Sequence, residues 1–258
     1  MRPFALRDAA LDLFFSRRRC LVCGSPADVR EGLCARCAAH LTPAPERVCP
    51  RCGDAVQAEG LCPRCVAAPP PYAAARAAFL YEGAVRKLVH SMKFRGEFDL
   101  PIRILARAMA GRLAQEGWRV EAVVHVPASP RTLHARGYNQ AEILARRLAG
   151  EANLPFLRGT LRKDRRVRSQ VGLGAEERRQ NVRGTIRAGR GAARAAGKTL
   201  LLVDDVMTTG ATVEECAQVL LAAGAEAVYV LCAARQIYAD DEELQSEVPS
   251  AQDADRDE

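Results

Sequence analysis

The sequence predicts an α/β protein, a parallel sheet flanked by helices and preceded by a small module built on cysteine. Three observations carry that expectation. Continuous apolar runs at 120–126, 200–203 and 227–233 are separated by stretches of helical spacing, which is how strands buried on both faces read. The run at 200–203 meets two adjacent acids, Asp204 and Asp205, and then a Thr-Thr-Gly-Ala-Thr turn that opens a helical pattern. Eight of the ten cysteines fall between 20 and 65, in four Cys-x2-Cys pairs.

At 258 residues the chain exceeds the roughly 100 to 200 residues of one domain, so an α/β unit plus something smaller is expected. Hydrophobic content of 48% and charged content of 27% are those of a globular protein. No apolar run approaches the roughly 18 residues of a membrane span. The N-terminus lacks the apolar block of an export signal, and a cytoplasmic location is expected. The net charge of +7 hides an asymmetry: residues 239–258 hold nine acids and one base, and the rest carries 37 basic and 22 acidic residues, net +15. Such a body attracts polyanions. An arginine- and alanine-rich composition is the plainer explanation of the same charge.

In chain order, residues 1–19 place Leu6, Ala9, Ala10, Leu13 and Phe14 at helical spacing, an amphipathic helix packed on the body. Asp8 and Asp12 on its polar face tell against a membrane-surface helix.

Residues 20–66 form the cysteine module. Its pairs are Cys20 with Cys23, Cys34 with Cys37, Cys49 with Cys52 and Cys62 with Cys65, with ten and nine residues inside the halves and eleven between them. Four such knuckles suit two tetrahedral zinc sites of four thiolates each, both structural. Disulfides are disfavoured in a chain expected in the cytoplasm. Spacing admits both a sequential arrangement and a cross-braced one that joins the first knuckle with the third. The compact loop that each half closes favours the sequential form. So short a module has little core, so metal supplies most of its folding energy.

Residues 67–72, rich in Ala and Pro, form a stiff linker, and 73–238 form the α/β domain. A strand is expected at 77–81. Helices follow from Gly83, with Val85, Leu88, Val89 and Met92 on one face, and over 102–113. The strand at 120–126 ends in Pro-Ala-Ser-Pro-Arg, then Arg136-Gly137-Tyr138-Asn139-Gln140 and a helix at 141–148. Arg131 and Arg136 beside a flexible glycine suit an anionic ligand, although Arg136 in a surface salt bridge is the plainer alternative. His125 reads as a satisfied core residue, and His134, in the loop, is a weak candidate. Residues 158–194 carry twelve bases against three acids, and 163–174 read as a mobile loop. After the acidic turn come a helix at 213–223 and a strand at 227–233, in which Cys216 and Cys232 are packing residues. Residues 239–258 are an acidic, disordered tail.

Ligands in open α/β sheets bind at the carboxyl ends of strands, where Asp204 and Asp205 stand. The turn after them offers backbone N–H groups at a helix start, which favours phosphate. A strand, two acids and T-T-G-x-T together resemble the phosphoribosyl pyrophosphate (PRPP) loop of type I phosphoribosyltransferases. The paired knuckles, each half with Gly after its second cysteine, resemble a double zinc ribbon. With Tyr81-x-Gly83, Lys93-Phe94 and the R-G-Y-N-Q run, the chain resembles the ComF/GntX family, in which a zinc ribbon precedes a phosphoribosyltransferase domain.

The resemblance implies a type I phosphoribosyltransferase-like fold. It puts Asp204 and Asp205 on the ribose hydroxyls, and Thr208, Thr209, Gly210, Ala211 and Thr212 around the 5′-phosphate. Arg131 and Arg136 would stabilise pyrophosphate with Mg²⁺, and a flexible lid containing Ser169, Gln170 and Arg178 would close over it. Val167 departs from the family pattern, which has Thr. Purine-salvage enzymes of this fold carry an acid at the position of Thr208 and a lysine at that of Ala211, so purine salvage is not expected. The resemblance implies a PRPP-binding protein, a transferase of unknown acceptor, connected with DNA uptake or nucleotide metabolism. The alternatives are a non-catalytic PRPP or nucleotide sensor and a component that handles single-stranded DNA or meets competence proteins.

Overall fold

The computed structural model describes residues 19–94, 99–164 and 184–236. The expected N-terminal helix (all but Arg19), the lid residues Ser169, Gln170 and Arg178, and the acidic tail lie outside them.

Four strands form one parallel sheet: β3 (Ala74–Leu80), β4 (Ala122–His125), β7 (Thr199–Met207) and β8 (Ala227–Arg235), in the order β3-β8-β7-β4. Side chains of a strand alternate between faces, so the unbroken run at 200–203 serves both. Leu200 and Leu202 pack with Val124, Val228 and Val230 in one cluster, while Leu201 and Val203 pack with Val123, Leu231 and Ala233 in another. The second face is covered by α3 (Gly83–Phe94), α4 (Asp99–Glu116) and α6 (Gln140–Glu151), through residues such as Val89, Leu105 and Leu144. The first is covered by α7 (Ala211–Ala222) and by the antiparallel pair β5 (Leu161–Lys163) and β6 (Ile186–Ala188). Cys216 and Cys232 lie fully buried in that cluster, where burial pushes their thiols well up, in keeping with a packing role. Among the described residues no helix is long and apolar enough to cross a membrane.

The cysteine module contains β1 (Val29–Arg30), β2 (Leu33–Cys34), α1 (Ala35–Ala39) and α2 (Pro63–Ala67). It lies along the free edge of β3. Ala44 N–H donates to Ala78 O at 3.0 Å, Leu80 N–H to Thr42 O at 3.0 Å and Ala75 N–H to Arg51 O at 2.8 Å. An exposed edge invites pairing with other chains, and here the module occupies it. On the opposite edge, Phe156 bridges to Val123 of β4 in parallel.

Several bounds differ from the sequence reading. The strand expected at 200–203 runs on through both aspartates to Met207, because β8 offers register partners as far as Arg235. Residues 130–136, read as part of a loop holding His134, form helix α5 (Pro130–Arg136). Ser129 caps it, its Oγ accepting from Thr132 N–H at 3.0 Å, and Pro130 at the first position is preset for helix.

Candidate ligand turn and cysteine centres

The turn after β7 is built by backbone conformation. Gly210 stands at the helix N-cap with φ +85°, in the left-handed region, and no side chain caps α7. Gly210 itself offers the first amides of α7 no capping side chain, in a place where the helix dipole favours an anion. Thr209 is buried, and its Oγ1 accepts a long bond from Ala211 N–H, at 3.4 Å. Asp204 and Asp205 are half-buried in the last part of the strand. Each carboxylate folds onto the next amide, Asp204 Oδ1 accepting from Asp205 N–H and Asp205 Oδ1 from Val206 N–H, both at 2.9 Å. The last part of a hydrophobic strand thus presents two acids a few residues before a helix start whose N-cap is a glycine.

The β4 end lies beside it. His125 is the register partner of Val203, and Val126 N–H donates to Val203 O at 3.0 Å. The Pro127–Ser129 segment and Arg131 therefore leave the sheet at the same end as Asp204, one strand spacing away. Arg131 is exposed in the first turn of α5 and Arg136 half-buried in its last, followed by Gly137 at φ +77°. Five residues apart on a helix, the two lie on different faces, about 7.5 Å apart along the axis. His125 is buried, which lowers its pKa and keeps it neutral, and Asn139 Nδ2 bonds both its ring and Val126 O, at 3.2 and 3.0 Å. It is a satisfied core residue that ties β4 to the start of α6. Exposed His134 sits on α5.

The cysteines gather in two clusters, Cys20, Cys23, Cys34 and Cys37, and Cys49, Cys52, Cys62 and Cys65, with sulfurs within 4.8 Å of one another. The arrangement is sequential, each half closing on itself. All ten cysteines are free. Sγ separations of 3.7 Å for Cys23 and Cys34 and 3.6 Å for Cys52 and Cys62 are far beyond a disulfide bond. They match the roughly 3.8 Å between sulfurs of a tetrahedral site with Zn–S near 2.3 Å. The donor set therefore fits two structural zinc ions. In each half the third cysteine, Cys34 or Cys62, stands at the N-cap position of a short helix that carries the fourth, and Cys34 Sγ accepts from Cys37 N–H. Burial opposes ionisation of Cys49, but amides of Cys52, Cys62 and Arg51 outweigh it and lower the thiol to about 6. Cys20 is lowered to about 6 in the same way, by amides of Cys34, Cys23 and Val22. Amides aimed at sulfur favour the thiolate, which is the form that binds metal.

The second centre is joined to the ligand turn by residues that the sequence reading did not single out. Arg64, between Cys62 and Cys65, donates from Nη1 to Thr209 O at 2.7 Å. Arg235, at the end of β8, pairs with Asp54 and donates from Nη1 to Cys52 O at 2.8 Å. The Cys-Pro-Arg-Cys repeat at 49–52 and 62–65 was a visible signal for Arg64. Nothing in the sequence marked Arg235.

A double zinc ribbon model matches residues 10–66, and a phosphoribosyl transferase domain model matches residues 132–257. The chain is 31% identical over 230 residues to the DNA utilization protein YhgH of Salmonella typhimurium, covering 84% of this chain and 90% of that protein. It is 30% identical over 224 residues to the protein of the same name from Escherichia coli, with 84% and 97% covered. With competence protein F of Haemophilus influenzae the identity is 32% over 153 residues, covering 57% of this chain and 66% of that one.

Proposed function

The chain belongs to the ComF family, in which a double zinc ribbon accompanies a phosphoribosyltransferase domain, and on that premise we propose that it binds PRPP or a related phosphoribosyl ligand together with Mg²⁺. One observation carries the proposal: half-buried Asp204 and Asp205 stand in the last part of β7, a few residues before a left-handed Gly210 that opens α7 with no side-chain cap of its own. In this reading the two carboxylates accept from the ribose 2′ and 3′ hydroxyls, which two adjacent acids match in number. Amides and hydroxyls from Thr208 to Thr212 surround the 5′-phosphate. Arg131 and Arg136 add positive charge for pyrophosphate from the two ends of α5. Mg²⁺, a hard cation, would neutralise pyrophosphate oxygens.

For turnover, a nucleophile attacks the anomeric carbon and pyrophosphate departs. The transition state has oxocarbenium character, and the residues above hold the ribose and offset charge on the leaving group. Thr208 and Ala211 supply no acid and no base at the turn, so the acceptor is not a purine that needs one there. The names of the relatives place those proteins in DNA utilization and competence, and we extend that setting to this chain.

A second reading, direct handling of single-stranded DNA, is favoured by the net charge of +9 over residues 158–194. The aromatic content of 5% gives few platforms for stacked bases and weighs against it. Calorimetric titration of PRPP with and without Mg²⁺, followed by a screen of acceptors for pyrophosphate release, tests the first reading. Magnesium-dependent binding supports it. Absence of binding, with retention on an oligonucleotide column, supports the second.

A further inference from the structure

Arg64 occupies an unusual position, since it lies inside a Cys-x2-Cys knuckle of the second centre and its side chain ends on the turn after β7. It lies between Cys62 and Cys65, and its guanidinium is near enough to the Cys52 sulfur to engage it. The same guanidinium donates to Thr209 O at 2.7 Å and lies 3.8 Å from Glu214 Oε1, in the first turn of α7. One side chain thus reaches from the second cysteine centre to a carbonyl of the turn and to the helix that follows.

The bond to Thr209 has a geometric consequence. In a planar trans peptide the C=O and the next N–H point in opposite directions. Holding Thr209 O toward the ribbon therefore turns the Gly210 N–H away from it. Gly210, without a Cβ and at φ +85°, would otherwise have the widest choice of peptide orientation in the turn. Metal at the second centre fixes Cys62 and Cys65, and hence Pro63 and Arg64 between them. When the metal leaves, the anchor of the Thr209–Gly210 peptide is released.

We propose that Arg64 is a positioning residue that orients the Thr209–Gly210 peptide, linking zinc occupancy of the second cysteine centre to affinity for a phosphorylated ligand in the turn. The ligand half of this statement rests on the reading of the turn as a phosphoribosyl site, whereas the positioning half does not. Coupling between two sites is reciprocal, so ligand must also retain the metal. Lysine is a poor substitute, because a flexible ammonium point does not reproduce the fixed direction of a planar guanidinium N–H toward Thr209 O.

The test uses the full chain, with both centres loaded in wild type, Arg64→Gln and Arg64→Lys, and with a ligand of the first centre removed in the control Cys23→Ser. Hydrogen exchange without ligand is expected to be about fivefold or more faster at amides 209–212 in both Arg64 variants, with the turn at 126–132 unchanged. Cys23→Ser leaves both turns unchanged. Zinc release to a chromogenic chelator is then followed with and without PRPP and Mg²⁺. In wild type PRPP slows release of one of the two ions, and in the Arg64 variants it slows neither. Unchanged exchange at 209–212 in a variant that retains two zinc ions overturns the positioning role. If PRPP binds wild type yet leaves zinc release unaffected, the linkage is overturned. If PRPP does not bind wild type at all, the phosphoribosyl reading fails, and the exchange comparison still decides the role of Arg64. Should Arg64→Gln lose metal, Arg64→Lys, which keeps a cation beside Cys52, carries the comparison.

Discussion

Arg235 Nη2 lies 2.7 Å from Asp54 Oδ1, a salt bridge between the last strand of the sheet and the second zinc ribbon, 181 residues apart in sequence. The Arg235 side chain is 5% exposed, and its Nη1 is spent on Cys52 O and the Met207 sulfur. Replacing it with Ala leaves a carbonyl and a carboxylate at the junction without their donor. Removing one partner of a buried hydrogen-bonded pair costs several kcal/mol, and the partial exposure of Asp54 reduces this to about 2 kcal/mol. Denaturant unfolding of Arg235→Ala is expected to show that loss with both zinc ions retained. A midpoint equal to wild type would show that the bridge does not hold the ribbon in place.

Gly24 and Gly53 follow the second cysteine of their ribbons, and both have φ +74°. Their surroundings differ. A Cβ on Gly24 meets nothing within 4 Å, whereas one on Gly53 collides with the carbonyl oxygen of Ala75 in β3. Both Gly→Ala changes carry the left-handed strain of about 1 kcal/mol. Gly53→Ala must also push the ribbon off the sheet edge, and its loss of stability is expected to be at least twice that of Gly24→Ala. Equal losses, compared by thermal unfolding, would contradict the close approach.

Much of this arrangement was legible beforehand, for identifiable reasons. The cysteine spacing foretold two four-thiolate sites because a CxxC knuckle is a local structure, set by residues close in sequence. Continuous apolar runs foretold β4, β7 and β8 because both faces of the sheet are covered. Helix α5 was missed although Ser129 and Pro130 are a capping pair, since a turn of so few residues has no periodicity to read. The contacts of Arg64 and Arg235 were not legible, because they join segments 145 and 183 residues apart and no local pattern records such a pairing.

Metal removal is expected to act on one part of the molecule first. The ribbons have little apolar core beyond the cysteines and a few partners such as Leu33 and Val56. The sheet has two extensive clusters. Zinc analysis of the purified chain should find two ions per molecule. Chelation should make residues 20–65 sensitive to protease while the sheet domain survives. Unchanged resistance of the ribbons after complete stripping would contradict a metal-dependent fold.

The central claim is that Asp204, Asp205 and the turn after them hold a phosphoribosyl group. Replacing both acids with Asn keeps their size and the local amide bonds while removing two charges beside the ribose hydroxyls. Hydrogen bonds to charged groups contribute about 1.5 to 3 kcal/mol each. Calorimetry of PRPP with Mg²⁺ on wild type and on the Asp204→Asn, Asp205→Asn double variant tests the claim most directly. The account predicts binding to wild type and a loss of about a hundredfold or more in the variant, at unchanged zinc content and melting temperature. Equal affinity in the two proteins would contradict it.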